Sequence, residues 1–373
     1  MRALVVAPHP FFTPRGTPFS VYYRTLVTAQ LGVEVDLLTY GEGEDVDIPG
    51  VRVIRIPRVP FTQGVPVGPS LKKLVLDVVM FGWTVGLLLR SRYDFVHAHE
   101  ESVFFCSFLK PLFRFKLVYD MHSSLPQQLS NFRFTSSRLP IRLFGWLENV
   151  AVRAATAVVT ICPDLAEHVV HRLRDSSRHI LIENSIFEDV RLSPRSGTGA
   201  EAGITKSLPE GPLVVYTGTF EPYQGIDLLI EAFSQVREQR PDAFLLLVGG
   251  TPAQVERYRA LAETHGLNGG CQFTGRVSQA VARCLSRRAT VLTSPRVLGT
   301  NTPLKVYEQL ASGIPLVATR IHSHTQVLDE EVCFLVEPTA DGMAKGILEA
   351  MTNARKRDAV TRQALNLYDK RYA

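Results

Sequence analysis

Short, almost wholly apolar runs alternate with longer stretches of mixed polarity from one end of the chain to the other. Residues 3–7 (ALVVA), 33–39, 51–56, 94–97 (DFVH), 117–119 and 157–161 (AVVTI) read as strands in the first half, and residues 180–183 continue the series. Residues 213–217 (LVVYT), 243–248, 271–275, 289–293, 315–318 and 332–336 read as strands in the second. A run apolar at every position suits a strand buried on both faces, as in a parallel sheet. Helical periodicity is clearest over residues 19–31, 226–237, 304–311, 342–351 and 355–372. The longest apolar stretch, 74–89, contains Asp77 and is flanked by Lys72, Lys73 and Arg90. It falls short of the roughly 20 residues a bilayer span needs, so it reads as a helix packed on a sheet. This β-α alternation predicts doubly wound parallel sheets, which bind ligands beyond the carboxyl ends of their strands.

Residues 193–212 are rich in Ser, Gly, Thr and Pro with little apolar periodicity, and they read as a linker. The chain is thereby divided into a first domain at 1–190, a linker at 191–212 and a second domain from 213 to 355. A length of 373 residues with 45% hydrophobic and 21% charged side chains is ample for two such domains.

The stretch 293–319, TSPRVLGTNTPLKVYEQLASGIPLVAT, combines these elements with candidate chemistry. It predicts strand, loop and helix, with Gly313 ending the helix and a further strand following. A helix start favours an anion through its free amides and dipole, and Lys305 and Glu308, three residues apart, are expected on one face directed there. Glycine-containing loops follow the first strand of each domain, at Gly16 and at 218–225 (GTFEPYQG), and a third follows at Gly249. Each reads either as a phosphate cradle or as a plain connection. His97 and His99 would share one face of an extended segment, but the five scattered cysteines form no CxxC pair, and no metal site is predicted. His122, in the polar cluster YDMHSS after a strand, is either a structural histidine or one facing a substrate.

The run Glu308-Gln-Leu-Ala-Ser-Gly-Ile-Pro-Leu-Val-Ala resembles the signature of retaining, nucleotide-sugar-dependent glycosyltransferases of family 4, which have the GT-B fold. That resemblance implies two Rossmann-like domains facing each other across a cleft, with residues 356–373 crossing back as a helix to the first domain. It assigns Glu308 to the donor ribose hydroxyls and His122 to the reacting sugar. Where the family carries a first glutamate, this chain has Thr300, and 302–308 matches a Thr-Pro-x-Lys-x-x-Glu variant. The family's arginine and lysine for the diphosphate are replaced by Thr219 and Gln224, so Lys305, then Arg296, is expected to take their place. Donor contacts are further expected from Gly16, Gly218, Gly249, Asn301, Thr302, Pro303 and Leu304, and near the base from Arg276 and Val277. No cofactor and no metal are implied; the partners are a nucleotide diphosphate sugar and a hydroxyl acceptor. A nucleotide-sugar epimerase of the same architecture, or a binding protein that has lost catalysis, stays open.

Charge adds one expectation. Residues 50–145 hold 13 Lys plus Arg against 5 Asp plus Glu, an excess of 13 − 5 = +8, while the whole chain is +5. Interleaved with the aromatics of 104–116 (FFCSFLKPLFRFK) and 131–146, this predicts docking on an anionic membrane surface and a lipid-linked acceptor. Alternatively, these residues are core with a solvated basic face. No nucleic-acid partner is implied. The cysteine pattern and the absence of a signal-peptide core suggest a cytoplasmic protein, peripheral on the inner face of the membrane.

Overall fold

The computed structural model describes residues 1–12, 16–62, 64–65, 70–126, 138–183 and 208–372. Internal packing divides the chain into two units, Met1–Asn184 and Ser185–Ala373. Most of the expected linker lies outside the described residues.

The first unit runs β1 (Arg2–Ala7), α1 (Gly16–Gln30), β2 (Glu34–Thr39), β3 (Val51–Arg55), α2 (Leu71–Arg90), β4 (Phe95–His99), α3 (Ser102–Phe113), β5 (Lys116–Met121), α4 (Arg138–Ala154), β6 (Ala157–Thr160), α5 (Pro163–Val170) and β7 (His179–Leu181). Its seven strands form one parallel sheet in the order β3-β2-β1-β4-β5-β6-β7. The order reverses direction between β1 and β4, the point where such sheets open a crevice for ligands. Helix α1 begins three residues before its apolar periodicity does, at Gly16, with Pro18 in the first turn where a missing amide costs nothing. Strand β4 runs two residues beyond the expected end and β5 two beyond its own, so His99 and Asp120 lie within strands.

The second unit runs β8 (Leu213–Thr217), α6 (Ile226–Gln239), β9 (Phe244–Val248), α7 (Pro252–Thr264), β10 (Cys271–Gly275), α8 (Gln279–Ser286), β11 (Val291–Ser294), α9 (Leu304–Ala311), β12 (Leu316–Thr319), α10 (His322–Thr325), β13 (Phe334–Val336), α11 (Ala340–Thr352) and α12 (Ala354–Leu367). Its parallel sheet has the order β10-β9-β8-β11-β12-β13, the first unit's pattern again. The apolar runs have the predicted cause. Val214 and Tyr216 pack with α6 and α11 on one face, while Leu213 and Val215 pack with α8 and α9 on the other. Val360 and Ala364 tie α12 to these cores, and the Tyr372 ring meets Tyr307 edge-on at 4.9 Å.

Helix α2 packs on the core as expected, but through one face alone. Leu76, Met80, Thr84 and Leu88, four residues apart, face the core. Leu71, Leu74, Val78 and Leu89 are largely exposed. Of the aromatic segment 104–116, Phe104 and Phe105 pack on the core and Phe115 is buried, whereas Phe108 and Leu112 face solvent. Among the described residues no helix is long and apolar enough to cross a membrane.

Candidate active site

In the second unit the candidate residues gather at the carboxyl ends of β8 and β11, again where the strand order reverses. Gly218 follows β8 with φ +148 and Gly249 follows β9 with φ +128, conformations open to glycine and strained for other residues. A Cβ on Gly249 would stand 1.9 Å from Gly218 O, so the two loops touch backbone to backbone. Tyr216, fully buried, donates its hydroxyl to Thr219 O at 2.7 Å and holds the loop in shape. Gly218 and Thr219 are exposed, and Gln224 Oε1 is buried with no hydrogen-bond partner.

Helix α9 starts after Pro303 with no side chain capping it. Its Lys305 reaches back toward the sheet, as helical side chains do. Nζ lies 4.0 Å from the centre of the Tyr216 ring and donates to Thr217 O at 3.4 Å. A Cβ on Gly218 would be 3.5 Å from it, so the ammonium borders the glycine loop. Burial, with Arg296 second, pulls the Lys305 pKa down to about 7. Arg296 is pinned by bonds to Leu298 O at 2.7 Å and Asn301 O at 3.2 Å, and its guanidinium stands over the Tyr223 ring at 5.1 Å. Gln326 donates to Thr300 O at 2.5 Å, and Thr302 Oγ1 is buried without a hydrogen-bond partner. Two cationic groups, an uncapped helix start and orphaned polar atoms make this loop suited to an anionic, hydroxyl-bearing ligand.

Glu308 meets different partners from Lys305. One turn further along α9, its Oε1 accepts from Arg283 Nε of α8 at 3.1 Å. Burial raises its pKa, and Arg283 opposes that. About a third of the side chain (34%) remains exposed, leaving the carboxylate room for a further donor. Arg276 is exposed after β10, while Val277 packs on the core; Asn301, Pro303 and Leu304 form the entry to α9. Behind them His324, not anticipated from the sequence, bonds Ser294 Oγ at 2.9 Å and Thr319 O at 2.8 Å, joining the ends of β11 and β12.

The first unit presents its polar groups at the same end of its own sheet. His122 directly follows β5 and is buried, its Nε2 3.1 Å from His99 Nδ1 and 3.3 Å from Asp120 Oδ1. Burial lowers its pKa to about 4 in spite of Asp120, so the ring is neutral at pH 7 and offers hydrogen bonds rather than charge. His9, after β1, is buried, with its pKa lowered to about 3 chiefly by burial. Lys73 pairs with Glu101 and lies 3.6 Å from Glu100, and Tyr40 donates to Asp77 at 2.5 Å. Arg24 and Lys73 were not singled out from the sequence. The one available signal for Arg24 was a lone charge inside the apolar first helix. Gly16 is the first residue of α1.

Residues 24–185 match the model of the glycosyl transferase 4-like domain, and residues 202–366 that of the glycosyl transferases group 1. A phosphatidyl-myo-inositol mannosyltransferase of Mycobacterium leprae is 26% identical over 92% of this chain and 85% of its own. A D-inositol 3-phosphate glycosyltransferase of Corynebacterium glutamicum is 23% identical over 81% of this chain and 75% of its own. Among solved structures, Anabaena HepE in complex with UDP has a TM-score of 0.74 at 17% identity, covering 100% of this chain and 96% of that one. Sucrose-phosphate synthase from Thermosynechococcus elongatus has a TM-score of 0.72 at 20% identity, covering 99% and 94%. The fold is GT-B, and the protein is a glycosyltransferase. More narrowly, the chain belongs to glycosyltransferase family 4.

Proposed function

We propose that this glycosyltransferase moves a sugar from a nucleotide diphosphate sugar to a hydroxyl acceptor with retention at the anomeric carbon and without a metal ion. The observation that carries the reading is Lys305, held against Tyr216 beside Gly218 and Arg296 at the uncapped start of α9. A departing diphosphate carries about two negative charges, and charge-assisted hydrogen bonds to it are worth roughly 1.5–3 kcal/mol each. Lys305 and Arg296 supply that charge where Thr219 and Gln224 cannot. Glu308 accepts the ribose hydroxyls, Arg276 and Val277 border the base, and His122 meets the transferred sugar. The bond from the anomeric carbon to the β-phosphate oxygen breaks as the bond to the acceptor oxygen forms. The acceptor proton passes to the departing phosphate. Positioning and electrostatic stabilisation of the leaving group carry the catalysis. That the HepE structure holds UDP supports a nucleotide donor.

The acceptor, on this reading, is lipid-linked and serves envelope glycan or glycolipid synthesis, in keeping with the phosphatidyl-myo-inositol mannosyltransferases among the relatives. The enzyme docks on the inner face of the cytoplasmic membrane through α2, α3 and α4. Leu71, Leu74, Val78, Phe108, Leu112, Leu143 and Trp146 expose apolar surface there. Lys72, Arg90, Arg142 and Arg153 lie exposed on α2 and α4 and suit anionic headgroups.

Calorimetric titration of UDP and GDP in EDTA tests the donor site. One of them binds without added metal, and Glu308→Ala weakens it by roughly 1–3 kcal/mol while the protein stays folded. Binding that requires magnesium or manganese, or that ignores Glu308→Ala, overturns the assignment.

A further inference from the structure

The carboxyl ends of β4 and β5 carry a cluster that reaches beyond His122 itself. Parallel register sets His99 opposite Asp120, and the two-residue period of β4 puts His97 and His99 on one face with their rings stacked at 4.6 Å. His97 Nε2 lies 3.0 Å from Asp120 Oδ2 and His99 Nδ1 3.4 Å from the same oxygen. His99 and Asp120 are fully buried. Such a group of two histidines and an aspartate has the makeup of a cation site. The cation it holds, however, is a side chain: Arg24 of α1 pairs with Asp120 Oδ2, its own side chain only 11% exposed. Against the cost of burial, Arg24 first and then the neighbouring imidazoles hold the Asp120 carboxyl well below the usual range. The ion pair is therefore complete without a metal, and a carboxylate kept ionised in the interior exerts its field on the rings around it.

We propose that Asp120 is a positioning residue for His122, anchored by Arg24 and steadied by His97 and His99. The inference rests on the reading in which His122 meets the transferred sugar. His99 Nδ1 lies within hydrogen-bond distance of His122 Nε2, and Asp120 Oδ1, buried without a hydrogen bond, stands 3.3 Å from the same nitrogen, so the His99 contact and the carboxylate's field together favour this ring orientation. Its other edge is thereby aimed. Arg24 lies on the helix after the first glycine loop, so this network links that helix to β5 through one carboxylate.

A double-mutant cycle on the full chain tests this. Asp120→Asn lowers kcat about 10- to 100-fold, as misplacement of a contact group does, with the donor KM little changed. His122→Ala lowers it comparably, and Asp120→Asn has no further effect in the His122→Ala background. A scaffold role would add its loss in both backgrounds, and additive losses overturn the inference alone. An unchanged kcat in His122→Ala removes the assignment of His122 to the sugar, and the inference with it. Should Asp120→Asn not fold because Arg24 is left buried and uncompensated, the cycle is run with Arg24→Gln/Asp120→Asn, which removes both charges. The same two outcomes decide it.

Discussion

Lys305 shows how a residue type read from sequence acquires a different chemistry in place. From sequence it is a cation near a helix start. In the fold its pKa of about 7, against an ordinary 10.5, leaves it only partly charged at neutral pH. The unfolded chain therefore binds more protons than the folded one between about pH 7 and 10.5, so this residue makes stability rise with pH across that window. A bound diphosphate reverses the balance, because its negative charge favours the ammonium and pulls a proton onto Lys305. Donor binding at pH 8 is predicted to take up about one proton, measured as the dependence of binding enthalpy on buffer ionisation enthalpy. Lys305→Ala abolishes that uptake and lowers kcat more than it raises the donor KM, since leaving-group charge grows toward the transition state. Uptake that persists in Lys305→Ala assigns the proton elsewhere. Nothing in the sequence announced the shift, because it arises first from burial and then from Arg296, 9 positions away, and only the fold buries Lys305 beside that charge.

The strands, by contrast, were legible as elements, because a strand buried on both faces must be apolar throughout and little else produces that pattern. Their ends were less so. His99 and Asp120 lack the apolar signature, yet strand pairing carries β4 and β5 through them, which is what brings His99 opposite Asp120. Which side of α2 is covered was not legible, for a related reason. Its sequence is apolar nearly all round, so periodicity cannot say which side is covered, and only the fold leaves Leu74 and Val78 exposed. Those two positions give the docking proposal its element-level test. Sedimentation with vesicles containing acidic lipid is predicted to capture the protein at low salt, less at high salt, and little of a Leu74→Ser/Val78→Ser variant that unfolds at the same temperature. Equal capture of the variant, or none of the wild type, removes α2 from the docking surface.

At the scale of the whole molecule, one strand order occurs twice, and each unit puts its functional candidates at or next to the point where that order turns: His9 after β1 and His122 after β5 in the first, Gly218 and Arg296 in the second. The second unit was the more readable because its central signature, 302–318, lies on a single strand-helix-strand segment. The first unit's cluster is assembled from α1, β4 and β5, whose residues are separated by up to 98 positions. The reaction itself is best tested by following a nucleotide diphosphate sugar and a hydroxyl acceptor with the full chain in EDTA, reading the anomeric centre by NMR. The account predicts transfer with the donor's configuration retained and one nucleoside diphosphate released per bond formed. An inverted product, or conversion of the donor to its epimer with no transfer, would contradict it.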